Sequence, residues 1–224
     1  MRLADELLLL AYSDEGRNEI SMLDTGLAGG VLLDLALAGR IDIADGRVVV
    51  ADASPLGDPV LDDALARIAA EKKPRKPKNW VGPLGRDLRE RLLDSLVASG
   101  VLVREEGRIL GLFPRTRYPA PGGGEAPAET DARQRLRAVL AVDAPVDGRT
   151  AALAALVTAL NMEKAAVPDR PRKEVRGALV AAAERGLADD RWAAEGVRKA
   201  VEELQAAVLV AVTAATTVTT TTNT

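Results

Sequence analysis

The sequence contains neither cysteine nor histidine among its 224 residues. Without cysteine there are no disulfides, thiolate nucleophiles or thiolate-bound metals, and without histidine there are no imidazole metal sites or Ser-His-Asp triads. We therefore predict no enzyme activity, no catalytic residue, no metal and no cofactor. A hydrolase built on Asp62-Asp63 or on Glu105-Glu106 is the weaker alternative. Adjacent helical side chains diverge by about 100°, and the second pair lies at a predicted hairpin turn.

Aromatic residues are scarce, and the complete set is Tyr12, Trp80, Phe113, Tyr118 and Trp192. They are scattered along the chain, which argues against a stacking platform for single-stranded nucleic acid. The core must therefore consist of Leu, Val, Ile and Ala, and this composition favours helices. The abundance of Ala, Gly and Arg is typical of a GC-rich bacterial genome.

Long hydrophobic runs are missing as well. The longest apolar stretch, 206–218, is shorter than the ~20 residues that a spanning helix needs, and threonines interrupt it. Asp5 and Glu6 stand where a signal peptide has positive charge. These features predict a cytoplasmic protein that associates with a membrane only peripherally.

Hydrophobic periodicity predicts a mainly α fold, a single helical domain with one or two small β-hairpins. We place this domain at residues 1–212 and a Thr-rich, low-complexity tail at 213–224. A strong helix is predicted over 84–99, where leucines recur every four residues.

Two hairpins are predicted from turn residues between apolar runs. The first turns at Asp45-Gly46 and the second at Glu106-Gly107. In both cases a helix and a glycine precede the hairpin. This similarity indicates either an internal duplication or two junctions of the same kind.

Positive charge is concentrated between Arg67 and Arg91, although the whole chain has a net charge of −3. Arg86 and Arg89 are the best candidates for binding a phosphate group, because they are three apart at a predicted helix start and Arg matches phosphate oxygens. Intrahelical pairing of Arg86 with Glu90 is the alternative. Electrostatic support is expected from loop lysines: Lys72, Lys73, Lys76 and Lys78.

Trp80 lies within the basic segment and has two interpretations, an anchor at a membrane interface or a lid on the core. Three apolar residues of the second hairpin either contact a membrane, pack in the core or join copies of the chain in a homo-oligomer. They are Leu110, Leu112 and Phe113.

Several segments occur together in a specific order and spacing: LADELLLLAY, GLAGGVLLDLALAGRI, LDDAL, NW and LRERLLDSLVASGVL. From about residue 3 to 210 the chain resembles the Golgi phosphoprotein 3 family. The resemblance implies a non-enzymatic, largely helical domain with a hydrophobic β-hairpin. It also implies docking on membranes through phosphatidylinositol 4-phosphate.

The lipid pocket of that family combines a Trp, the Arg of a GLRG motif and two further Arg residues three apart. The resemblance places the last two at Arg86 and Arg89. The resemblance places Ala28 at the GLRG arginine and Glu19 or a neighbouring residue at the Trp. The resemblance therefore implies half of the pocket and little discrimination among phosphorylated headgroups.

The resulting prediction is a peripheral membrane module that binds an anionic phospholipid headgroup, with no small-molecule substrate and no nucleic acid. Two alternatives stay open. A helix followed by a hairpin is the outline of a winged helix that binds nucleic acid, against which the sequence pI of about 5.3 argues. The other alternative is a pure protein-interaction scaffold.

Overall fold

The computed structural model describes residues 1–109, 113–141, 145–188 and 202–214. Over these ranges the chain is mainly helical and contains two small antiparallel sheets of two strands each. The predicted fold class is confirmed. No helix in the described part of the chain is both long and apolar enough to cross a bilayer.

Two hairpins interrupt the series of helices, one after the second α-helix and one after the fifth. The first half contains α1 (Leu3–Ala11), α2 (Leu23–Leu37), α3 (Pro59–Ala69), a 3-10 turn (Pro77–Asn79), α4 (Val81–Gly85) and α5 (Leu88–Ala98). The second half contains α6 (Pro127–Ala138), α7 (Gly148–Ala159), α8 (Glu163–Ala166) and α9 (Arg172–Ala188). Residues 202–214 are helical and are called α10 here. The strands are β1 (Ile41–Ala44), β2 (Arg47–Val50), β3 (Glu105–Ile109) and β4 (Phe113–Arg117).

Helices α1 and α2 form the centre of the core. Every residue of α1 is buried, and so are nearly all residues of α2. Two glycines of α2 let neighbouring helices approach closely. A Cβ added to Gly26 would lie 2.4 Å from Leu160 Cδ1, and one added to Gly29 would lie 2.5 Å from Val208 Cγ2 of α10. Larger side chains at these positions would therefore push α7 and α10 away from the core.

A buried ion-pair network ties the N-terminus to α2 and α7. Asp34 Oδ2 accepts a 2.8 Å hydrogen bond from the Leu3 N–H, and Asp34 Oδ1 accepts one of 3.2 Å from Arg149. Arg149 also donates to Glu6 Oε1 at 2.9 Å. Burial raises the pKa of Asp34 from 3.8 to about 7, and the charge of Arg149 opposes this shift.

The first hairpin forms as predicted, with Asp45 and Gly46 between β1 and β2 at φ values of 52° and 67°. Both residues adopt the left-handed conformation that a two-residue hairpin turn requires, which Asp and Gly tolerate.

The predicted turn of the second hairpin at Glu106-Gly107 is wrong. Glu106 and Gly107 lie inside β3 and pair with Thr116 and Arg115 of β4. A Glu has no side-chain preference for the left-handed turn, so this dipeptide lacks the signal that Asp45-Gly46 carries. The structure therefore does not support an internal duplication built on equivalent turns.

Some residues of the predicted second hairpin and of the predicted tail lie outside the part of the chain that the structure describes. Leu110 and Leu112 lie outside the described residues, as does most of the Thr-rich tail, 215–224. Phe113 begins β4, where its backbone pairs with Ile109. The membrane or oligomer role of this hairpin stays a prediction.

Candidate functional site

Arg86 and Arg89 lie where α4 gives way to α5. The prediction of one helix over 84–99 is wrong at this point, because α4 ends at Gly85 and α5 begins at Leu88. Arg86 is extended, and Asp87 has a φ of 57°. Asp is one of the few residue types that adopt this left-handed conformation without large strain, and Gly85 weakens the helix before it. The leucine spacing predicted the helix but not this break.

The break separates the two arginines, which do not share one helical face. Arg86 is exposed, and no ion pair involving it occurs among the residues that the structure describes. The alternative pair of Arg86 with Glu90 is therefore not formed. Arg89 lies in the first turn of α5, where its side chain is 32% exposed.

Asp24 holds Arg89 in place. The Nε–H of Arg89 donates to Asp24 Oδ1 over 2.8 Å, which joins the first turn of α5 to the first turn of α2. The Asp24 side chain is 55% exposed, so this pair lies at the surface. Solvent screening leaves such a pair with a contribution of less than about 1 kcal/mol to stability. An anion can therefore compete with Asp24 for the guanidinium.

A crevice of about 320 Å³ opens beside Arg89. Its lining residues are Asp24, Gly85, Asp87, Arg89, Glu90, Leu93 and Tyr118. Three of these are carboxylates, which accept hydrogen bonds from hydroxyl or ammonium groups. The crevice therefore offers one cation, several acceptors and an aromatic ring.

Tyr118 and Tyr12 meet at the crevice. Their rings form an edge-to-face pair with centroids 6.4 Å apart. The Tyr118 N–H donates to the Gly16 carbonyl at 3.0 Å, and a Cβ at Gly16 would lie 2.4 Å from the Tyr118 backbone. Gly16 is therefore required for this close approach. Burial raises the pKa of Tyr12, and nearby Arg89 partly offsets that rise.

Ala28 and Glu19, the two positions at which this chain differs from the lipid pocket of the family, lie in different environments. Ala28 is fully buried, and its Cβ would lie 3.8 Å from a Cβ built on Gly85 of α4. Glu19 is exposed. The helix junction therefore packs directly on the side chain that replaces the GLRG arginine, and an arginine at position 28 has no room.

The basic loop before α4 has an exposed part and a buried part. The four predicted support lysines, Lys72, Lys73, Lys76 and Lys78, are exposed, and none has an ion pair among the described residues. Trp80 is only 3% exposed, and the Arg75 guanidinium lies 5.2 Å from its ring centroid. The interpretation of Trp80 as a lid on the core is confirmed, and its interpretation as a membrane anchor is wrong.

The fold and the site together define a mainly helical domain with two β-hairpins and a surface junction that carries two arginines. The family model of Golgi phosphoprotein 3 (GPP34) matches residues 3–204. The chain therefore belongs to the Golgi phosphoprotein 3 family, and the resemblance seen in the sequence is confirmed.

A curated relative is similar over a shorter stretch. The vacuolar protein sorting-associated protein 74 of Eremothecium gossypii is 28% identical over 174 residues, which cover 65% of this chain and 50% of the relative. The chain thus matches about half the length of that relative.

Proposed function

We propose that this chain is a non-enzymatic peripheral membrane module whose α4–α5 junction binds the phosphate group of an anionic phospholipid. Membership of the Golgi phosphoprotein 3 family supports the proposal, because the resemblance implies binding of phosphatidylinositol 4-phosphate. The proposed partner is the membrane surface.

The observation that carries the proposal is the exposure and the ion pairing of Arg86 and Arg89. Arg86 is exposed without an ion pair in the described part of the chain, and Arg89 has a single exposed partner, Asp24. A phosphate at the junction could accept hydrogen bonds from Arg86 and from the second edge of Arg89 together. Charge-assisted hydrogen bonds of this kind contribute about 1.5–3 kcal/mol each.

The carboxylates of the crevice narrow the class of headgroup. Asp24, Asp87 and Glu90 would repel an anion that had no donor groups of its own. A polyol phosphate reduces this penalty, because its hydroxyl groups can donate to the carboxylates while its phosphate meets Arg89, the cation that lines the crevice. Tyr118 supplies a ring face against which a glycerol or inositol skeleton can pack. We therefore propose a phospholipid with a polyol headgroup.

Vesicle flotation tests the proposal. Arg86→Ala plus Arg89→Ala is expected to weaken binding to vesicles containing phosphatidylglycerol or phosphatidylinositol 4-phosphate by about tenfold or more. The control is Arg137→Ala plus Arg170→Ala, which removes the same charge from exposed arginines outside the junction. Equal binding of the two double variants would reject the junction. The protein-interaction scaffold would then be the better interpretation.

A further inference from the structure

Helix α10 has a buried face and an exposed apolar face. Leu204, Val208 and Val212 are buried, whereas Leu209 and Val210 are 46% and 51% exposed. From position 204 onward the sequence contains no charged residue. The charged residues of α10, Glu202 and Glu203, both lie in its first turn, and adjacent exposed apolar side chains on the rest of the helix are typical of a contact surface.

A crevice of about 300 Å³ separates this face from the 3-10 turn. Its apolar part is formed by Pro77 of the turn and by Ala206, Ala207 and Val210 of α10. Lys76 and Lys78 line it on the side of the turn, and Glu203 lines it at the start of α10. Neither lysine has an ion pair within the described residues, so both charges are available to a partner.

The charge pattern favours one kind of partner. An apolar groove beside two available cations complements an amphiphilic surface with negative headgroups above an apolar layer. A symmetric contact with a second copy of the chain would set two such patches against each other, each with two lysines and one glutamate, and their net positive charges oppose such an interface. The pattern therefore fits an anionic bilayer better than self-association.

The crevice beside α10 and the arginine junction lie at opposite ends of one short segment, which runs from the 3-10 turn through α4. Trp80 both ends the 3-10 turn and precedes α4, and α4 leads directly to Arg86. Gly85 of α4 packs on Ala28 of α2, while Val208 of α10 packs on the next residue, Gly29. Helices α4 and α10 therefore pack against successive residues of α2.

We propose that the outer face of α10 and this crevice form a second membrane contact. Lys76 and Lys78 meet lipid phosphates there, and Leu209 and Val210 enter the apolar layer. The inference rests on the proposed binding of anionic membranes. It adds an insertion element that is separate from the arginine junction.

Site-specific fluorescence can test the contact, because the chain has no native cysteine. The variant Val210→Cys carries an environment-sensitive dye on α10, and Gln134→Cys carries it at an exposed control position on α6. Both are mixed with phosphatidylcholine vesicles, with and without phosphatidylglycerol. The dye at position 210 is expected to shift to the blue with anionic vesicles only, and the dye at 134 is expected to stay unchanged. Lys76→Gln plus Lys78→Gln is expected to reduce the shift at 210.

The outcomes separate this inference from the headgroup site. A dye at 210 that remains in water while the chain binds vesicles overturns the α10 contact and leaves the arginine junction standing. A blue shift that persists after Arg86→Ala plus Arg89→Ala supports the α10 contact and counts against the junction. A blue shift without vesicles that grows with protein concentration means self-association and overturns the proposal. Failure to bind either type of vesicle overturns both proposals.

Discussion

Asp24 and Arg89 form a 2.8 Å ion pair that connects the first turns of α2 and α5. This contact orients the guanidinium at the edge of the crevice, but it also occupies one of the hydrogen-bonding edges that an anion would use. Asp24 therefore acts as a competitor within the proposed site. Binding of a phosphate must either displace it or use the remaining donors.

Removing the charge of this competitor is expected to strengthen binding. Asp24→Asn keeps the size of the side chain and takes away the negative charge that opposes a phosphate. We expect severalfold tighter binding to phosphatidylglycerol vesicles in flotation, equivalent to less than about 1 kcal/mol for an exposed pair.

Asp63→Asn is the control for this prediction, because Asp63 forms a 2.8 Å pair with Arg91 of α5 and a 3.1 Å pair with Arg67 at the surface. It also removes one negative charge from the same region of the chain. Equal gains in the two variants would show that only overall charge matters. A loss of binding in Asp24→Asn would mean that orientation of Arg89 outweighs competition.

Restoring the arginine of the GLRG motif is expected to damage the fold. Ala28 is fully buried beneath Gly85, so Ala28→Arg places a long cationic side chain where there is no space. Overpacking a core typically costs about 1–3 kcal/mol, and burying a charge adds to this. We expect the midpoint of urea unfolding to fall in Ala28→Arg. The control Ala66→Arg, on the exposed face of α3, is expected to keep a midpoint close to that of the parent. A stable Ala28→Arg variant with sharper headgroup preference would show that α4 moves to open the family pocket.

The raised pKa of Asp34 predicts a pH dependence of stability. Because the folded-state pKa is about 7 against an ordinary 3.8, the folded protein holds this proton more tightly than the unfolded chain. The stabilising contribution is therefore complete below about pH 4 and is lost as the pH rises to about 7. The groups facing Asp34 are Arg149, Glu6 and the Leu3 N–H.

Urea denaturation from pH 4.5 to 8 measures this effect. The unfolding free energy of the parent, minus that of Asp34→Asn, is expected to fall with rising pH by up to about 1.4 kcal/mol per unit and to level off above pH 7. The exposed carboxylate Asp94 supplies the control Asp94→Asn, whose profile should run parallel to that of the parent. A difference that stays flat over this range would mean that Arg149 outweighs burial and that Asp34 is already ionised.

The sequence predicts the fold class because periodicity is a local property of each segment. The leucines of α1 and α2 and the Asp45-Gly46 turn carry their signals within a few residues. The leucine spacing does not reveal the break at Asp87, because it continues through the break from Leu84 to Leu88. The non-helical conformations of Arg86 and Asp87 separate two helices from one.

The sequence predicts the arginines of the candidate site but not the residues that surround them. The two arginines stand out as unbalanced charge in a short stretch of sequence. Asp24, Tyr12 and Tyr118 reach the site from distant segments, and no local pattern pairs them with Arg89. The partnership depends on how α2, α5 and the second hairpin pack, which a single sequence does not show.

The most direct test of the central claim is to observe the arginine side chains while a headgroup binds. The Nε–H resonances of ¹⁵N-labelled protein can be followed by NMR during titration with glycerol phosphate. We expect saturable shifts of the Arg86 and Arg89 resonances and no shift of the Arg137 resonance on α6. In Asp24→Asn the shifts are expected to saturate at a lower glycerol phosphate concentration. Shifts that are uniform over all exposed arginines, or absent from Arg86 and Arg89, would contradict the central claim.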